Sequence, residues 1–346
     1  MTQKKKAYAR AGVDVDLGNQ VKGGIQAVVR ATHGPEVLGK IGGFGGLFRP
    51  NFKGLKDPVL VSSVDGVGTK LKIAFAANRH DTIGQDLVNH CINDIAVIGA
   101  KPLFFLDYLA SATLDPKVFS AILKGFAKAC RAGGCALIGG ETAQMPGMYQ
   151  AGEYDVAGCI VGVVDRKKLL DGSRIRVGDV IIGLASDGLH TNGYSLARAV
   201  LLDRLKLPLT AKPAGLAKPL GEELLRVHRN YQPLMASLPD GLLKGAAHIT
   251  GGGLIDNLPR VLPKTVNAEI DATAWKVPAL FRLIEKGGRV DALEMYQVFN
   301  MGIGMALVVG AKDAEKALKL TKGRIIGKIV RGTGEVQITN LAKAAK

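Results

Sequence analysis

Along the first half of this chain, short runs rich in β-branched residues end near glycine and give way to segments with helical spacing. A strand repeats every second residue and a helix at about every 3.6, so this alternation predicts helices packed on a sheet, an α/β architecture. Residues 58–64 form the first such run, and Leu71 opens helix-like sequence reaching Ala77. Residues 80–98 place Ile83, Leu87, Cys91, Ile95 and Ile98 on one helical face. Residues 103–109 read as a second strand. Asp115-Pro116 then opens a helix that runs to about Ala132 and stops at Gly133-Gly134. Residues 136–138 and 156–164 read as further strands.

Residues 165–178 are charged and follow a finished strand, so the expected boundary divides 346 residues into two α/β domains, 1–170 and 171–346. In the second half, 180–184 and 304–309 read as strands. Residues 193–202, 254–258 and 278–285 read as helices. Residues 207–219 read as a proline-containing loop, and 222–235 as a helix kinked before Pro233. The tail from Asn340 to Lys346 is small and basic and is expected to fray.

The chain carries 45 glycines, clustered as in Gly42-Gly43-Phe44-Gly45-Gly46 and Gly251-Gly252-Gly253. Clustered glycine suits backbone that approaches a ligand closely. Lys and Arg outnumber Asp and Glu by 46 to 30. That excess is spread along the chain with no run of five and only 5% aromatic residues, a poor match to a nucleic-acid-binding face. Cys91, Cys130, Cys135 and Cys159 lack zinc-type spacing and read as small buried thiols of a reducing compartment. The basic N-terminus is followed by no apolar signal segment. No apolar run is long enough to span a bilayer, so a cytoplasmic protein is expected.

The segment Asp65-Gly66-Val67-Gly68-Thr69-Lys70 joins a strand to a helix. Exposed glycine amides and a helix N-terminus can cradle phosphate, Lys70 can neutralise it, and Asp65 can hold Mg²⁺. It matches neither the P-loop nor the dinucleotide pattern. On residue chemistry alone, a ligand loop and a plain capped turn are equally compatible with it.

The ordered set of motifs narrows this. Tyr8-x-x-Ala11-Gly12-Val13-Asp14-x-Asp16-x-Gly18-Asn19, the 42–46 glycine loop and His80-Asp-Thr-Ile-Gly84 come first. Asn93-Asp94, Pro102-Leu-Phe-Phe-Leu-Asp-Tyr108 and Gly139-Gly140-Glu141-Thr142-Ala143 follow. Then come Met145-Pro-Gly-Met-Tyr149, Tyr154-Asp-Val-Ala-Gly158, His190-Thr-Asn-Gly-Tyr-Ser195 and Thr250-Gly-Gly-Gly253. Asn257-x-Pro-Arg260, Glu294-Met-Tyr296 and Phe299-Asn-Met-Gly-Ile-Gly-Met305 complete the series. From about Tyr8 to Gly332 the chain resembles the phosphoribosylaminoimidazole synthetase (phosphoribosylformylglycinamidine cyclo-ligase) family.

That resemblance implies two α/β domains, a first sheet domain that dimerises, and a second with a mixed sheet. It implies MgATP-driven closure of formylglycinamidine ribonucleotide to aminoimidazole ribonucleotide through an iminophosphate. It also implies site residues. Asp65, Asp94 and Glu141 are expected to ligate Mg²⁺, and with Lys70, on phosphate, they form the catalytic set. Asp94 alternatively reads as a helix-surface acid. Glu141 reads evenly as a site residue, either a third ligand or a general base, and as a first-turn helix acid. Gly66, Val67, Gly68, Thr69, Gly139, Gly140 and Thr142 are expected at the nucleotide. Gly45, Gly46, His190, Asn192, Gly193, Thr250, Gly251, Gly252 and Gly253 are expected at the substrate, the last four as a cradle for the ribose 5-phosphate. Asp14, Gly18 and Asn19 read as part of a lid, and His33 and His228 as surface residues. Asp187-Gly188 departs from the serine-rich turn of the family. The rival readings are another ATP-using enzyme of the same superfamily, or a basic nucleic-acid-binding protein.

Overall fold

The computed structural model describes residues 6–344, the Lys22 side chain excepted. The basic stretch before Lys6 and the last two residues of the tail lie outside the described residues. The fold is α/β, with one mixed sheet in each half. In the first half β1 (Pro58–Gly66), β2 (Lys101–Ser111), β3 (Ala136–Gln144) and β4 (Tyr154–Asp165) lie in the order β1-β4-β2-β3. Only the β2–β3 pair is parallel.

After the short Ala7–Arg10 helix, the longer helices of this half are α1 (Val15–Arg30), α2 (Lys70–Ala77), α3 (Ile83–Ala96) and α4 (Pro116–Gly133). Helix α3 lies on the sheet because Ile83, Leu87, Cys91 and Ile95, each four apart, are all fully buried. Helix α4 starts where Asp115 accepts from the amides of Lys117 and Val118, and stops at Gly134 with φ +70°. The two helices meet at Gly84, where a Cβ would stand 2.2 Å from the Ile122 carbonyl oxygen, so no larger residue fits.

The opposite face of this sheet is open. Leu60, Val64 and Tyr108 are 63%, 70% and 37% exposed, beside half-buried Leu106, Cys159 and Val161. Pairing register puts Gly66, Ala157, Tyr108 and Glu141 in one row on this face.

The second half holds β5 (Val180–Ala185), β6 (Leu243–His248), β7 (Val266–Asp271), β8 (Ile303–Val309), β9 (Arg324–Arg331) and β10 (Val336–Thr339), in the order β10-β7-β9-β5-β8-β6. Only β10 and β7 run parallel. Strand β8 is buried along its whole length. Helices α5 (Tyr194–Arg198), α6 (Gly253–Asn257) and α7 (Ala279–Gly288) follow glycine or proline turns. The first sheet ends at Asp165 and the second begins at Val180. No helix among the described residues is long and apolar enough to cross a membrane. All four cysteines are free; Cys91, Cys130 and Cys135 are buried and Cys159 half-buried.

Two expectations need correction. Residues 139–142 continue β3, so Glu141 is a strand residue and not a first-turn helix acid. The helix expected over 222–235 is two short pieces, Leu220–Leu224 and Gln232–Ala236, joined by irregular chain. Its backbone groups find partners on α3 instead, as the site shows.

Candidate active site at the seam of the two halves

The β1–α2 turn is anchored by fully buried Val67 and passes through Gly68 at φ +53°, a conformation glycine adopts without strain. The turn faces the second half. A Cβ on Gly68 would lie 3.9 Å from the Thr191 carbonyl oxygen, and Thr69 Oγ1 is 3.1 Å from Ser195 Oγ.

Lys70 corrects an expectation. Its ammonium is fully buried 2.8 Å from Asp86 Oδ2, and it donates to the carbonyls of His190 (3.1 Å) and Arg226 (2.7 Å). With all three ammonium protons so directed, Lys70 ties the seam together and has no donor left for phosphate. Burial lowers the lysine pKa and raises that of Asp86 to about 6, each opposed by the partner's charge.

Helix α3 carries two polar stripes. Asp86, Asn89 and Asn93 face residues 225–231. Asp86 Oδ1 accepts from His228 N (2.7 Å), and Asn89 Nδ2 donates to His228 O (2.8 Å). Asn93 Nδ2 donates to Arg229 O (2.8 Å) and its Oδ1 accepts from Tyr231 N (2.8 Å). These bonds replace the intrahelical ones and hold this irregular segment against α3.

The second stripe, His90 and Asp94, meets a histidine cluster. His90 Nε2 lies 2.8 Å from Asp65 Oδ2, and its Nδ1 lies 2.8 Å from Thr191 Oγ1. Thr191 Oγ1 is 3.3 Å from His228 Nδ1, and His228 Nε2 is 2.9 Å from His248 Nε2. His248 Nδ1 is 2.8 Å from Asp94 Oδ1. Asp65 Oδ1 also takes the Gly66 amide (2.7 Å), and Asp94 Oδ2 the Ser63 hydroxyl (3.0 Å). Burial works against charge on both carboxylates. At Asp65 the bond and charge of His90 with the Gly66 amide, and at Asp94 the bond and charge of His248 with the His90 charge and the Ser63 hydroxyl, together outweigh it, so both titrate below the ordinary range. Burial likewise disfavours charge on His90, yet Asp65 and Asp94 win and raise its pKa. His190 and His228 are pushed well down, chiefly by burial, and His248 down by burial against Asp94.

His228, expected on the surface, is therefore fully buried at the centre of this cluster. Half-buried His33 does reach partial solvent, with Nε2 2.8 Å from the Leu137 carbonyl. His90, Thr191 and His248 were not read as site residues. The signal for His90 was the spacing Asp86, Asn89, His90, Asn93, Asp94, a polar stripe on a helix otherwise apolar; none marked Thr191 or His248.

The second-half loops converge on the same seam. His190 sits at φ +61° with its ring 1% exposed, so the ring faces the cluster and not open space. A Cβ on Gly251 would lie 3.5 Å from Asn192 Nδ2, which brings the 190–193 and 250–253 turns side by side. Gly193 (φ +77°) packs under the Phe299 ring. Gly252 and Gly253 take φ +95° and +57°, and Asn257 Nδ2 donates to the carbonyls of Gly251 (3.1 Å) and Gly253 (2.8 Å). Thr250 Oγ1 meets Asn257 Oδ1 at 3.3 Å.

Other expected residues lie apart. Gly46 packs on Ile138 of β3, and Gly45 is open to solvent. Gly140 abuts Asp107, while Gly139 contacts the Leu106 side chain. Thr142 N donates to Glu141 Oε1 (2.7 Å). Glu141 lies on the open sheet face, whereas the register of Asp65 with Gly158 puts Asp65 on the helix-covered face. Asp14 caps α1 by accepting from Leu17 N (3.0 Å), and its backbone is clasped by Gln144. Gly18 and Asn19 are within α1.

Residues 53–164 match the N-terminal domain of AIR synthase related proteins, and residues 176–339 match the C-terminal domain. Phosphoribosylformylglycinamidine cyclo-ligase of Citrifermentans bemidjiense is 55% identical over 92% of each chain. That of Geotalea daltonii is 53% identical over 96% of this chain and 97% of its own. Among solved structures, thiamine-monophosphate kinase from Stenotrophomonas maltophilia superposes with TM-score 0.69 at 20% identity, covering 94% of this chain and 96% of that one. The hydrogenase maturation protein HypE in complex with ATP gives 0.66 at 19%, covering 97% and 92%. Those two likenesses show the fold; the half-identical relatives, matched end to end, show that this chain belongs to the phosphoribosylformylglycinamidine cyclo-ligase family.

Proposed function

We propose that this chain closes the imidazole ring of aminoimidazole ribonucleotide from formylglycinamidine ribonucleotide, at the expense of ATP, in cytoplasmic purine biosynthesis. The observation that carries the reading is the meeting of two glycine turns in one seam. Gly66, Val67, Gly68 and Thr69 lie against the 190–195 turn, which lies against Thr250 and Gly251–Gly253. Two anion cradles side by side suit a triphosphate and a ribose 5-phosphate held for reaction.

In the proposed chemistry the formyl amide oxygen attacks the γ-phosphorus and ADP leaves. The amidine nitrogen then attacks that carbon, and phosphate departs with the oxygen. The work of the protein is positioning and charge neutralisation. Asp65 and Asp94 fit a hard divalent cation, being oxygen donors kept ionised and oriented by histidines behind them. Mg²⁺ bound there supplies positive charge to the transferring phosphoryl group. Asn192 and Gly193 orient the substrate, while His190 acts from beneath through its backbone. Gly139, Gly140, Thr142, Gly45 and Gly46 belong to the β3 side, and they, with Glu141 as third ligand, join the site across a subunit contact. That contact is the open face of the first sheet. Leu60, Val64 and Tyr108 give it an apolar surface that a second copy covers, making a homodimer.

The test is purified protein with formylglycinamidine ribonucleotide and MgATP, following aminoimidazole product. Wild type forms it and Asp65→Asn is at least about a hundredfold slower, the scale of one lost electrostatic group. If wild type forms no such product, the reading is wrong.

A further inference from the structure

The histidine cluster brings ring nitrogens face to face. From Asp65 through His90, Thr191, His228 and His248 to Asp94 there are five donor–acceptor contacts, of 2.8, 2.8, 3.3, 2.9 and 2.8 Å. In the fourth, the Nε2 atoms of His228 and His248 face each other at 2.9 Å, and each is a nitrogen able to ligate a cation placed between them.

A third nitrogen lies beside this pair. One nitrogen each of His190, His228 and His248 sit within 4.8 Å of one another, and all three residues are buried. His190 Nδ1 has no partner at all. The His190 ring stacks on His228 at 4.0 Å between centroids.

We infer that His190, His228 and His248 form a buried site for a divalent transition metal of the zinc class, separate from the oxygen ligands of Asp65 and Asp94. A cation on the two facing Nε2 atoms takes the place of the proton between them and leaves the other four contacts intact. Imidazole nitrogens select Zn²⁺, Co²⁺ or Ni²⁺ over Mg²⁺. Asp94 behind His248 supplies the carboxylate–histidine pairing that orients zinc ligands. Zinc–nitrogen bonds of about 2.0–2.1 Å require the two Nε2 atoms to part slightly from their present contact. Ligation through His190 Nδ1 moves its proton to Nε2 and releases the amide of Asp187, which now donates there at 3.1 Å. All three ligands come from the second half, so the metal clamps the floor of the seam.

The experiment uses the tag-free full chain, stripped with a chelator and given Co²⁺ or Zn²⁺ alone, without nucleotide. Wild type is expected to retain one equivalent through desalting, show visible cobalt bands that Zn²⁺ abolishes, and melt at a higher temperature with Zn²⁺. Asp65→Asn keeps the metal. His228→Gln loses retention at least tenfold and loses the melting shift, and His190→Gln takes its place if that variant does not fold. X-ray absorption of the zinc-loaded wild type decides independently, with an imidazole-rich shell expected. No retained metal in wild type, full retention in the folded histidine variant, loss in Asp65→Asn alone, or an all-oxygen shell each overturns the inference. None of these readouts depends on cyclo-ligase activity, so failure of one conclusion is distinguishable from failure of the other.

Discussion

Replacing Lys70 by Met tests whether this lysine holds the seam or holds phosphate. The substitution keeps the chain length and removes the charge. Asp86 is then left fully buried, with the His228 amide as its partner, and the carbonyls of His190 and Arg226 lose a charged donor. Breaking a buried pair from one side costs about 3–5 kcal/mol. Folded proteins hold roughly 5–15 kcal/mol in total, so the loss is a large fraction of stability. Removing both charges is expected to be far milder. Asp86→Asn keeps an acceptor for His228 N, so Lys70→Met/Asp86→Asn recovers most of the loss, with a coupling of about 2 kcal/mol or more. Urea unfolding followed by the single tryptophan, buried Trp275, reads the stability directly. If Lys70→Met stays within about 1 kcal/mol of wild type while KM for ATP climbs, the tie is wrong and the lysine serves phosphate.

Acid should weaken the fold in a defined window. His190, His228 and His248 have folded pKa values depressed mainly by burial, so below about 6.5 the unfolded chain binds protons the folded chain refuses. Stability should fall by up to about 3 kcal/mol per pH unit from His190 and His228, whose depression is large, with a smaller share from His248, in chelator-treated protein, and His228→Gln should remove up to about half of that slope. His90, with a raised pKa, contributes below the unfolded value and loses that contribution as pH climbs through its folded one. An unchanged slope in His228→Gln contradicts this. Leu60→Arg with Val64→Glu should convert the proposed dimer to monomer in light scattering while leaving circular dichroism intact; a persistent dimer removes the open sheet face as the contact. Gly253→Ala puts a Cβ 2.0 Å from the Tyr296 carbonyl oxygen at φ +57°, so substrate KM should rise steeply or the chain should fail to fold. Wild-type kinetics there refute the tight turn.

The α/β alternation and most first-half elements were legible because each element buries one continuous apolar face. Residues 222–235 misled because helical propensity was overruled by partners far away in sequence, Asp86, Asn89 and Asn93. Strands β6, β7, β9 and β10 went unread, being short and mixed in composition. At the site, glycine turns announced themselves by composition, while the histidines at 228 and 248 carry no local signature. Lys70 read as a phosphate ligand because a lysine after glycines looks exposed, and only the fold reveals what closes over it.

The match between the polar stripe of α3 and the 225–231 backbone bears on how such a chain can change by recombination. A chimera joining the first half of one relative to the second half of another must carry a stripe and a strap that still pair. Otherwise several amides and carbonyls lose their partners at once, next to the seam. The heritable unit here is therefore the helix–strap pair that straddles the boundary, and a cut between residues 165 and 180 separates its two members.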